Sequence, residues 1–141
     1  MSTQRELKIE ALMAALTASS VGVPAFRSRV VAFQRGDLPA IVVKPASETV
    51  VKAGAGIARR ALELDIEIHV RGDVPDQIAD PIVAGVHGVV VNTSALGGAD
   101  GGVVEQETLW EFSEADQAAL MVTMKYHLIY LTQSADLTKA A

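Results

Sequence analysis

Glu63, Asp65, Glu67 and His69 alternate with Leu62, Leu64, Ile66, Ile68 and Val70. In an extended chain this puts three carboxylates and an imidazole on one side and an unbroken apolar row on the other. Carboxylates in such a row can hold Mg²⁺ for phosphodiester hydrolysis, with His127 as a further ligand if its strand lies alongside. The polar side of a half-solvated strand produces the same pattern with no chemistry attached, and that reading is favoured. Other reaction types lack their residues. There is no cysteine, and neither Ser28, Ser94 nor Ser113 lies in a Gly-x-Ser-x-Gly elbow. The three histidines fall on separate segments without metal-ligand spacing, and Gly54, Gly56, Gly97, Gly98, Gly101 and Gly102 form no phosphate-binding fingerprint. The sequence therefore predicts no enzyme, no metal site and no cofactor.

The elements that position this row are legible from periodicity. Thr3 and Glu6 make a capping box, and Ile9, Leu12, Met13 and Leu16 follow at helical spacing, predicting a helix over Gln4–Ala18. A first strand is expected over Ala25–Phe33. A short second strand is expected over Leu38–Lys44, bounded by Pro39 and Pro45, with Ser47–Val51 as a small hairpin piece. The acid row sits on a long third strand, Ala61–Arg71. Ile78, Ile82, Val86, Val89 and Val90 then mark a helix capped by Asp73 or Asp80; Pro81 is awkward inside it but harmless at a first position, so either the main helix begins after Asp80 or a bend sits there. Gly97–Gly102 reads as a mobile loop, Val103–Phe112 as a fourth strand, Ser113–Asp116 as a turn and Leu120–Thr132 as a fifth strand. The order predicts an α+β fold, a mainly antiparallel sheet with two helices packed on one face. Residues 1–132 form one domain, and Gln133–Ala141 is expected to be a free or partner-ordered tail.

Composition limits the partners. A chain of 141 residues with 50% hydrophobic and 21% charged residues is globular and can bury one core. Its net charge of −5 gives no basic footprint for nucleic acid. Ile82–Val91, the longest apolar stretch, is too short to cross a bilayer, and Arg5, Glu6, Lys8 and Glu10 interrupt any export signal, so a cytoplasmic site of synthesis and no membrane partner are expected. The missing cysteines fit a reducing compartment.

The long strands point outward. Each would extend roughly 40 Å at about 3.3 Å per residue, more than a small core needs. Leu128-Ile-Tyr-Leu131 is apolar on both faces, so that end requires cover from helices or a second subunit. Arg27, Arg29, Arg35, Arg59 and Arg60 are ordinary surface charge on one reading and partners for the Glu105, Glu107 and Glu111 row of a neighbouring copy on the other. With Trp110, Ile129 and Leu131 they make up the candidate subunit interface.

The opening helix, Val23-Pro-Ala-Phe-Arg-Ser-Arg29, Asp37-Leu-Pro-Ala-Ile-Val-Val-Lys-Pro45, the strand ending Val70-Arg-Gly-Asp73, and the close Leu128–Asp136 followed by Leu137-Thr138 together resemble a tail terminator (minor tail, or tail-completion) protein of long-tailed bacteriophages. The resemblance covers nearly the whole chain. It implies a non-enzymatic virion protein that forms a hexameric ring on the last ring of tail-tube protein, ends tube growth and offers the surface that joins the head through its connector. Six copies at −5 carry about −30, so DNA would slide past without specific binding, with Glu63, Asp65 and Glu67 facing the channel. A head-completion or connector adaptor of the phage neck is the nearest alternative. A metal-dependent nuclease is the distant one: Asp65-Ile-Glu67-Ile-His69 is similar to an Asp…Glu-x-Lys signature but has no lysine.

Overall fold

The structure, a computed structural model, describes residues 1–97, 102–114 and 118–141, and leaves out the side chain of Arg35. The order is α1 (Gln4–Ala18), β1 (Ala25–Arg27), β2 (Ala40–Gly54), β3 (Ile57–Arg71), α2 (Pro75–Asn92), β4 (Val103–Ser113), β5 (Ala119–Gln133) and β6 (Asp136–Ala140). This is an α+β fold. The sheet runs β1-β2-β3-β5-β4, with β6 also paired to β5; the β1–β2 junction is parallel and the rest are antiparallel.

Helix α1 has the bounds expected from its capping box, and Thr3 Oγ1 accepts the Glu6 amide at 3.2 Å. Its Ile9, Leu12 and Leu16 are buried with Ile82, Val86 and Val90 of α2 against Leu62, Leu64, Ile66, Ile68 and Val70 of β3 and Leu120, Val122, Met124, Tyr126 and Leu128 of β5. Both helices thus share the face carrying the apolar rows. β3 and β5 pair along their whole length, Ile57↔Gln133 to Arg71↔Ala119.

Several boundaries differ from expectation. β1 stops at Arg27, because the chain from Ser28 onward folds across the sheet, where Phe33 lies 5.0 Å from the His69 ring and 5.5 Å from the Phe26 ring. The short second strand and the hairpin piece are one strand, β2, carried past Pro45 by a bulge between Pro45 and Ser47. It joins β3 through a tight turn in which Gly56 takes φ +75°. Helix α2 begins at Pro75, with Val74 rather than either aspartate at its N-cap, and continues through Pro81. Pro81 forfeits the bond to the Gln77 carbonyl, but buried Ala79 and Ile82 hold the helix to the sheet on both sides of it. The C-terminal segment is not a free tail. β6 pairs with β5 at Thr132↔Ala140 and Gln133↔Asp136, and Gln4 Nε2 donates to the Thr138 carbonyl at 2.8 Å. Of the expected loop, Gly97–Gly102, residues 98–101 lie outside the described residues, as do 115 and 116 of the expected turn, Ser113–Asp116, whose Ser113 closes β4.

Candidate functional site

The acid row lies on the sheet face opposite the helices, where the neighbouring strands supply its partners. Lys125 of β5 stands opposite Asp65, with Nζ 3.2 Å from Asp65 Oδ2 and 3.5 Å from Glu63 Oε1. Lys44 of β2 reaches Glu67 Oε2 at 2.8 Å, His69 Nε2 sits 2.9 Å from Glu67 Oε1, and Ser47 Oγ donates to Glu63 at 3.0 Å. Among the described residues, no three Asp, Glu or His side chains converge as metal ligands. His127 is opposite Glu63 in register. The carboxylates are occupied by cross-strand cations, each pair being worth about 0.2–1 kcal/mol.

Their titration follows from these neighbours. Burial alone would raise the Glu67 carboxyl, but hydrogen bonds from His69 and Lys44 outweigh it and hold the group below 4.5. The Ser47 hydrogen bond leads in lowering Glu63, followed by Lys125. Donation to Asp65 leads in holding the Lys125 ammonium above 10.5. A carboxyl lowered on folding stabilises the protein above its unfolded value, and that gain is lost as pH falls through the folded one. A raised lysine stabilises below its unfolded value, and that gain is lost as pH rises through the folded one. The melting temperature should therefore hold level from about pH 5 to 10 and fall on both sides. Lys125→Met should shrink both limbs, and a profile unchanged in that variant would show that the Lys125 pairs with Asp65 and Glu63 contribute nothing.

Beside the ladder, the 29–38 segment walls a cleft of about 560 Å³ lined by Arg29, Phe33, Lys44, His69, Arg71 and Met121 among others. Among the described residues, Arg71 Nε is buried there without an acceptor.

The candidate interface residues separate into three groups. Arg27, Arg29 and Arg60 find acids within their own chain. Arg27 Nη2 donates to Glu6 at 2.7 Å. Arg29 lies 3.9 Å from Asp37, with its guanidinium 4.1 Å from the Phe33 ring centroid. Arg60 is a correction to the surface reading: it is buried at 9% exposure, donates to Thr132 Oγ1 at 2.9 Å and lies 3.3 Å from Glu48. Arg35 sits in a 3-10 turn, Arg35–Asp37, its side chain outside the described ones. Arg59 remains exposed on the hairpin arm, opposite Val51 on one side and Leu131 on the other.

The glutamates of β4 do not form one row. A bulge between Glu105 and Glu107 sends Glu105 to the helix side, 3.1 Å from His87 Nδ1, and leaves Glu107 and Glu111 on the ladder side. Trp110 and Phe112 lie on the helix side beyond the reach of α2, 55% and 62% exposed. At the far end of β5, Tyr130 is covered on the helix side, whereas Ile129 and Leu131 lie on the opposite face, Leu131 at 46% exposure. The cover expected on both faces is present on one.

Sequence reasoning missed Glu48, whose side chain is 8% exposed and joins Arg5 at 2.8 Å, Arg60 and the Tyr130 hydroxyl. A lone glutamate in a Ser-Glu-Thr stretch gives no sign of such a network. Among the described residues no helix is long and apolar enough to cross a membrane. Compared with known proteins, the chain matches no family model and no curated protein.

Proposed function

We propose that this chain is a ring-forming structural protein of a phage tail, acting at the head-proximal end of the tube in the manner of the tail terminators it resembles. The observation that carries the reading is large apolar surface left at the margins of a well-packed domain. Trp110, Phe112, Val51 and Leu131 are each between 46% and 62% exposed, although the core behind them is closed. Exposed apolar patches of this kind mark assembly surfaces. On this reading the protein is a virion component whose partners are identical copies, the tail-tube protein and the connector at the head. DNA passes through the ring without a specific contact, along the acid and lysine face. The charges of that face are largely matched, which gives a passing phosphate backbone little to hold.

Particles imaged from cells lacking the protein test it. Overlong tails without heads are the expected result, and tail-tube subunits mixed with purified protein should stop elongating. Normal free tails beside leaking heads would instead assign the chain to the connector.

A further inference from the structure

The sheet ends in two bare margins that match each other. Strand β4 is the last strand of the order, and among the described residues nothing pairs with its outer edge over the eleven residues Val103–Ser113. At the other side, β1 covers β2 only at Ile41–Val43, which among the described residues leaves Lys44–Gly54 open, also eleven residues of that fifteen-residue strand. The two margins are three inter-strand spacings apart, roughly 14 Å, so one chain cannot bring them together. Because β2–β3, β3–β5 and β5–β4 are all antiparallel, β4 and β2 run in opposite directions. A second copy set edge to edge therefore continues the antiparallel sheet.

Charge and side-chain parity agree with this. β4 carries Glu105, Glu107 and Glu111 and no cation, whereas the open hairpin arm shows Lys52 and Arg59, its only acid, Glu48, being buried. Laid side by side in full, the margins set Glu105 beside Lys52 on the helix side and Glu107 beside Val51 on the ladder side. The same alignment brings Trp110 opposite Glu48 and Ser113 opposite Lys44. The bulges at Gln106 and Ala46 keep every facing pair from Glu105–Lys52 to Ser113–Lys44 on a common side, and a further bulge at Ala53 ends the match beyond Lys52. Charged glutamates also protect a solvated edge, but a protected edge has no use for Trp110 and Phe112. We propose that β4 of one copy docks on the open β2 margin of the next, a heterologous joint that closes into a ring.

The stagger fits closure. The centre of β4 lies level with residue 66 or 67 of β3 and the centre of the open β2 margin with Ala61. Full pairing thus shifts each copy by five or six residues, roughly 18 Å, along the strands. Against a four-strand width of roughly 19 Å, that shift tilts the strands by about 43°, within the range of closed barrels. Pro45 offers no amide, so the residues beyond it carry the ladder.

The inference rests on the ring reading, and the absence of cysteine gives it a clean test. Thr108→Cys with Val50→Cys, or Glu107→Cys with Val51→Cys, introduces two facing thiols; of two successive antiparallel pairs one is closely spaced. Oxidation of either double variant should give a ladder of covalent oligomers, and each single variant should give none. Lys52→Glu with Arg59→Glu, or Glu105→Lys with Glu107→Lys, should weaken assembly about tenfold or more by sedimentation, and an equal mixture of the two reversed proteins should recover it. Rings that form normally in both reversed variants, with no ladder from either thiol pair, would overturn the edge joint while leaving the ring intact. A wild-type chain that stays monomeric at every concentration would overturn both.

Discussion

Replacing Glu48 by alanine should cost the fold about 3–5 kcal/mol and lower its melting temperature by roughly 10 °C. The carboxylate is 8% exposed and is shared by four elements: it takes Arg5 from α1 at 2.8 Å, Arg60 from β3 at 3.3 Å and the Tyr130 hydroxyl of β5, while sitting on β2. Arg60, at 10% side-chain exposure, would be left with Thr132 as its remaining partner. An uncompensated buried guanidinium is far more damaging than the loss of an ion pair in water. Glu48→Gln, which keeps the shape and one acceptor, should lose less, about 1.5–3 kcal/mol. Urea unfolding measures both, and a loss below about 1 kcal/mol for the alanine variant would show that the network is dispensable.

Ile66→Ala and Trp110→Ala should behave in opposite ways despite the larger side chain of the second. Ile66 is fully enclosed at the centre of β3, facing Val43 on one side and Met124 on the other, and its truncation leaves a cavity worth about 2–5 kcal/mol. Trp110 is 55% exposed on an edge strand, so its removal should change the stability of the dilute chain by about 0.5 kcal/mol or less. The comparison belongs at low protein concentration, because assembly adds to apparent stability by mass action. In sedimentation the order reverses, with Trp110→Ala the more damaging. A tryptophan whose loss unfolds the isolated chain would be part of the core instead.

What could be read in advance was what the chain repeats. The capping residue Thr3 and the apolar spacing of α1 gave both of its ends, and the alternation in β3 and β5 gave their faces, because each signal lies within a few residues. The errors arose where distant partners decide. Pro45 reads as a strand end, yet β3 holds β2 in the ladder through a bulge. Arg60 continues a polar dipeptide with Arg59 but belongs to the buried parity of Leu62, and its carboxylate partner is twelve residues away. β6 is five residues with one leucine, too little to stand out, and it exists because β5 outruns β4 and leaves room beside Thr132. The single extra residue at Gln106 reverses the side on which Glu105 lies, which no alternation count detects.

That extra residue also bears on fidelity. A straight edge accepts an incoming strand at several offsets two residues apart, since each keeps polar and apolar sides aligned. A kink at Gln106 removes that freedom, as does its counterpart at Ala46: an incoming strand shifted by two meets a protrusion where it needs a flat ribbon. In the proposed edge joint the strand is thereby indexed, and slippage, the usual failing of β-mediated polymers, would be denied at each seam.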